Sequence, residues 1–106
     1  MTTNQYNSFK KELKDFGYAY YPDQPYEGRN VWIKYLIGKG IRKAFIRIDE
    51  YRHENTETAK TEYILKFHGV IRDEIIKLEL DREFEDLGLK EMEQTVQCYY
   101  DKLFYK

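Results

Sequence analysis

The chain of 106 residues holds one cysteine, two histidines, two prolines and a single serine. Each scarcity excludes a class of chemistry. Cys98 alone cannot form an intrachain disulfide, and with His53 and His68 it gives no zinc-finger spacing. His53-Glu54 begins like a metalloprotease helix, but position 57 is glutamate where the second histidine would stand. Cys98 has Gln97, Tyr99 and Asp101 beside it instead of the cations that activate a thiol. Ser8 lies in a helical pattern, outside any Gly-x-Ser-x-Gly turn. Gly38-Lys39-Gly40 leads into a strand, so no helix N-terminus faces a phosphate there. Pro22-Asp23 opens a nuclease-like pattern, but the two strands that follow carry no acid before Asp49. No apolar run nears the roughly 20 residues that span a bilayer, and Met1 to Gln5 has no apolar core of a signal peptide. The expectation is a cytosolic protein with no enzymatic activity, no catalytic residue, no metal, no cofactor and no membrane partner.

What is abundant is tyrosine and charge. There are eleven tyrosines, and aromatics make up 17% of the chain, enough to build a core in one domain. The net charge of -1 hides a division. Residues 1–53 carry 10 Lys/Arg and 6 Asp/Glu, a net +4, and residues 54–106 carry 8 and 13, a net -5. From Arg29 to Ile48 there are six cations and no acid; from Asp73 to Glu93 there are nine acids. Segregation of this kind speaks to partners and not to fold.

Periodicity supplies the elements. Tyr6, Phe9, Leu13 and Phe16 share one face of a helix, with Thr2 and Gln5 at capping-box spacing and Gly17 as the stop. Tyr18 to Tyr21 reads as a short extended segment ended by Pro22 and Pro25. Val31 to Ile37 and Ala44 to Ile48 alternate as a hairpin around Gly38-Lys39-Gly40, with both faces of the first strand largely apolar. Glu50 to Lys60 is polar and reads as an exposed connection. Tyr63, Leu65 and Phe67, then Ile76, Leu78 and Leu80, line one face of a second hairpin, and residues 81–85 stand between strand and loop. Leu89, Met92, Val96, Tyr99 and Leu103 form the stripe of a last helix with Asp86 as N-cap. The expected fold is a single α+β domain over residues 1–106: helix, four antiparallel strands, helix, with the helices on one face of the sheet.

Two binding readings follow. In the first, the chain binds another protein through its tyrosine-rich loop and the neighbouring acids: Tyr20, Tyr21, Asp23, Tyr26, Glu27, Glu83, Glu85 and Asp86. Tyrosine gives large amphipathic contacts at low entropic cost. Such a chain suits an inhibitor or regulator of a host protein or nucleoprotein encoded by a phage or mobile element, a setting to which the Tyr-, Lys- and Ile-rich codon usage also points. In the second, the basic hairpin binds nucleic acid with Arg29, Trp32, Lys34, Lys39, Arg42, Lys43 and Arg47, stacking bases on aromatics between cations. The element order is similar to that of double-stranded-RNA-binding domains. Those open their last helix with lysines, whereas this chain reads DLGLKEMEQ. A homodimer is a third outcome, since Trp32, Tyr35, Leu36 and Phe45 cannot all be buried by two helices unless both sheet faces are covered.

Overall fold

The computed structural model describes residues 1–24, 29–38, 40–72 and 76–104. The element order is α1 (Thr3–Asp15), β1 (Ala19–Gln24), β2 (Arg29–Ile37), β3 (Ala44–Asn55), β4 (Lys60–Ile71), β5 (Ile76–Glu79), α2 (Asp81–Leu87) and α3 (Leu89–Phe104). The strands form one antiparallel meander in chain order. The fold is therefore the expected α+β domain with helices on one face, but with five strands and three described helices in place of four and two.

The extra strand is the tyrosine segment itself. Ala19 to Tyr21 pairs with β2, and the register slips between Tyr21 and Gln24, around Pro22. A strand at the sheet edge tolerates a proline, because one side of its backbone has no ladder to serve. The polar run from Glu50 is also mostly strand: β3 continues to Asn55, and a tight turn returns the chain at Lys60. Asn55 Oδ1 accepts from the backbone N–H groups of Glu57 and Thr58, which closes that turn. Polar composition did not prevent pairing there, since a strand exposed on both faces still satisfies its backbone in the ladder.

The helix-covered face holds the main core. Phe9 and Leu13 of α1, Trp32 of β2, Ile46 and Ile48 of β3, Phe67 and Ile71 of β4, and Leu89, Met92, Val96 and Tyr100 of α3 are buried together. Helix α1 is fixed at its start by the expected capping box between Thr2 and Gln5. It ends at Gly17, whose φ of +88° glycine adopts without a Cβ clash. Tyr6 stacks on Tyr63, with ring centroids 4.1 Å apart. Phe16 closes the expected stripe but is 37% exposed, because α1 ends at Asp15 and Phe16 lies in the turn beyond it. In α3 the buried residue is Tyr100, and Tyr99 is 40% exposed. An α-helix drifts against a fixed three- and seven-residue spacing, and by the third turn the core-facing position has moved on by one. Asp86 lies inside α2 and not at the start of α3; residues 81–85, left between strand and loop by their pattern, are helical. Gly69 lets α3 lie close to the sheet: a Cβ there would stand 2.5 Å from Val96 Cγ2.

The molecule measures 54 × 31 × 21 Å. Its thinnest dimension is that of two layers, a sheet and one tier of helices, at about 10 Å each. No described helix is long and apolar enough to cross a membrane.

Candidate binding face

Side chains alternate across a strand, so the register assigns each residue to a face. In β3, Ala44, Ile46, Ile48 and Glu50 look toward the helices, and Phe45, Arg47, Asp49 and Tyr51 look the other way. Their cross-strand partners carry the second face onto β2 and β4: Tyr35 opposite Phe45, Ile33 and His68 opposite Arg47, Val31 and Lys66 opposite Asp49, Ile64 opposite Tyr51. Tyr21 stands opposite Val31 on β1. None of the described helices contributes to this face.

It is nevertheless not a plain solvated surface. Asp49 is 1% exposed, and Val31 and Val70 are nearly as well covered. Three groups converge on the Asp49 carboxylate: Arg29 Nε at 3.1 Å and Arg47 Nε at 3.3 Å, both at Oδ1, and His68 Nε2, which donates to Oδ2 at 3.0 Å. Burial pushes the acid's pKa up. The hydrogen bond from His68 and the charges of Arg47 and Arg29 outweigh that and hold the carboxyl below its usual range. The Arg29 guanidinium also lies over the Tyr51 ring, and Lys43 Nζ over the Phe45 ring. Around this cluster stand exposed side chains: Tyr35 at 57%, with Tyr21, Tyr51 and Ile64 each above 40%.

A second buried acid lies behind the sheet. Glu50 is 4% exposed and accepts a hydrogen bond from Tyr20 Oη at 3.1 Å. Burial raises its pKa to about 7, against a smaller downward pull from Arg52. Tyr20 in turn packs on Trp32, so the edge strand is tied to the core through one ring and one hydroxyl.

The residues expected from the sequence are dispersed by this arrangement. Tyr20 and Tyr21 point to opposite faces of β1. Asp23, Tyr26, Glu27 and Lys39 fall outside the described residues and side chains. Glu83, Glu85 and Asp86 lie on α2, which packs against β4, while β1 is three strands away at the other edge. Adjacent strands are about 4.8 Å apart, so acids and tyrosines expected to act together are separated by roughly 14 Å or more. The basic hairpin divides in the same way. Arg29 and Arg47 turn to the open face and join Asp49. Lys34 turns to the helices and pairs with Glu93, and Arg42 lies over the Phe104 ring. Trp32 is 1% exposed in the core. Tyr35 is the ring of that hairpin most open to solvent.

Sequence reasoning missed Asp49, Glu50, His68 and Tyr51. One signal for Asp49 was present: Arg47 and Asp49 sit on alternate positions of a strand whose other face is Ala44, Ile46 and Ile48. Nothing local distinguishes Glu50, because its burial depends on Tyr20, which is 30 residues away.

No family model, no curated protein and no solved structure matches this chain. Among the described residues, no three acidic, histidine or cysteine side chains are grouped to hold a metal ion.

Proposed function

We propose that this chain is a small non-enzymatic domain that binds another protein through its open sheet face. One observation carries the reading: Tyr21, Tyr35 and Tyr51 stand exposed around the Arg29–Arg47–Asp49–His68 cluster on a face to which no described helix contributes. A rigid sheet with ion-paired charges at its centre and tyrosines at its margin has the character of an interface core ringed by amphipathic anchors. The cluster is preformed, so docking orders few side chains. A chain that regulates or inhibits a host protein, encoded by a phage or mobile element, fits this design, since such a role needs a surface and no reaction.

A symmetric dimer through the same face is less favoured, because it would bring the Arg29, Arg47 and Lys66 side chains of both copies into one interface. For nucleic acid, the division of the basic hairpin between two faces leaves a shorter stripe of cations than the sequence suggested.

The test is capture of a partner from nuclease-treated lysate by the wild-type chain and by a variant with Tyr21, Tyr35 and Tyr51 all changed to serine. The reading requires a protein held by the wild type and lost by the variant, with the variant's melting temperature within a few degrees of wild type. Equal capture by both chains, or a partner that disappears on nuclease treatment, overturns it.

A further inference from the structure

The second long strand, β4, is paired along its whole length with β3 but with β5 only from His68 to Ile71. Its first half therefore lies at an edge with no neighbouring strand among the described elements. In an antiparallel strand the N–H and C=O of alternate residues point to the same side, and here the outward set is Thr61, Tyr63, Leu65 and Phe67. Phe67 is served by the protein itself: its N–H donates to Asp81 Oδ1 at 2.8 Å and its carbonyl accepts from Leu80 N–H at 2.9 Å. Tyr63 is served by Met1. The Met1 amine donates to the Tyr63 carbonyl at 2.8 Å, and Tyr63 N–H donates to the Met1 carbonyl at 2.8 Å. This reciprocal pair is that of an antiparallel strand one residue long. For Leu65, between them, no hydrogen bond at this edge is found among the described residues.

Beside this edge runs a groove of about 340 Å³, lined on its apolar side by Met1, Tyr63, Leu65, Phe67 and Phe84. A residue paired with Leu65 from outside would lie on the strand line between Met1 and Leu80. Its side chain would share the face of Leu65 and enter the groove.

We propose that the Thr61–Leu65 edge of β4 is a peptide-binding site that takes an extended segment as an added antiparallel strand, displacing Met1. The peptide would run opposite to β4, with one residue on Leu65, the next but one on Tyr63 and the next but one again on Thr61. The first two would be apolar, for the groove. The residues between them would be basic, because Glu62 stands on their face of β4 and the groove is acidic on balance, with Glu62, Asp81 and Glu85 against Lys66. Main-chain bonds would provide the affinity, and the groove would select the alternate side chains. This site adjoins the open sheet face, sharing Ile64 and Lys66 with it, but its test reads the β4 edge alone and stands or falls independently of that face.

The probe is an acetylated and amidated Val-Lys-Val-Lys-Thr pentapeptide, followed by amide hydrogen exchange in the isotope-labelled protein. Saturating peptide should slow exchange of the Leu65 and Thr61 amides at least about tenfold, the protection expected of a formed ladder bond. A chain lacking Met1 should bind several-fold more tightly, because nothing need be displaced. The variant Leu65→Pro removes an outward N–H and part of a side chain packed on the core, but no ladder bond to β3, so it should stay folded by circular dichroism, with a lower melting temperature, and lose most of the binding. If Leu65 exchange is unchanged at millimolar peptide, if removal of Met1 weakens binding, or if a folded Leu65→Pro variant binds as the wild type does, the proposal is wrong.

Discussion

The two faces of one strand, β3, solve burial in opposite ways. Toward the helices it sends Ile46 and Ile48, each fully buried, where removal of apolar surface from water is the driving term. Away from them it sends Arg47 and Asp49, almost as well buried, whose ion pairs offset the cost of losing water. The first face would accept many apolar sequences of similar volume. The second depends on every member being present, since a buried charge without its partner is far more costly than a small cavity. Buried ion pairs of this kind add little net stability in general, so the two faces of β3 are expected to respond differently to substitution.

The sharpest way to break this contrast is Asp49→Ala. It leaves Arg29 and Arg47 facing each other and should cost about 3–5 kcal/mol in denaturant unfolding. Replacing Arg47, Asp49 and His68 together by Met, Leu and Leu should recover most of that loss, while leaving the face unable to present the same charges. A triple variant as unstable as the single one would show that the cluster is a net source of stability. On the helix side, Ile48→Ala should cost about 2–4 kcal/mol through the cavity it leaves, with a loss that does not change with salt. A smaller effect of opposite sign is expected at Glu50. Its pKa in the fold, about 7, lies above the ordinary value of 4.5, so the folded state holds the proton more tightly than the unfolded one. That contribution favours the fold below pH 4.5 and is withdrawn as the pH rises from there to about 7. Glu50→Gln should therefore stabilise the protein at pH 8 by about 1–3 kcal/mol and flatten its stability across that window. Asp49 works the other way, and its contribution disappears as the pH falls below the usual carboxylate range. The smallest stability change, about 1 kcal/mol or less in all, is expected when Tyr21, Tyr35 and Tyr51 become serine. A large loss of melting temperature in that variant would mean that the open face is core after all.

How much of this was legible depends on range. The capping box at Thr2, the stop at Gly17, the first hairpin and the apolar faces of α1 and α3 as far as Leu13 and Val96 are set by residues within a turn or two of one another, and these were readable. The extent of β3 and β4 was not, because polar residues from Glu50 to Lys60 look the same in a loop and in a strand exposed on both sides. Tyr99 and Tyr100 are adjacent and chemically alike, and only the accumulated rotation of the helix decides which is buried.

By itself the sequence determined an α+β domain, the division of charge along the chain and the excess of tyrosine, because local pattern and composition carry those. Tertiary structure alone decided which tyrosines meet which charges. The meander carried the acids of α2 away from the tyrosines of β1, split the basic hairpin between two faces, and gathered Arg29, Arg47, Asp49 and His68 from three strands. The physical reason is the pleat. Neighbours in sequence point to opposite sides of a sheet, and neighbours on one face come from strands that the chain order keeps far apart.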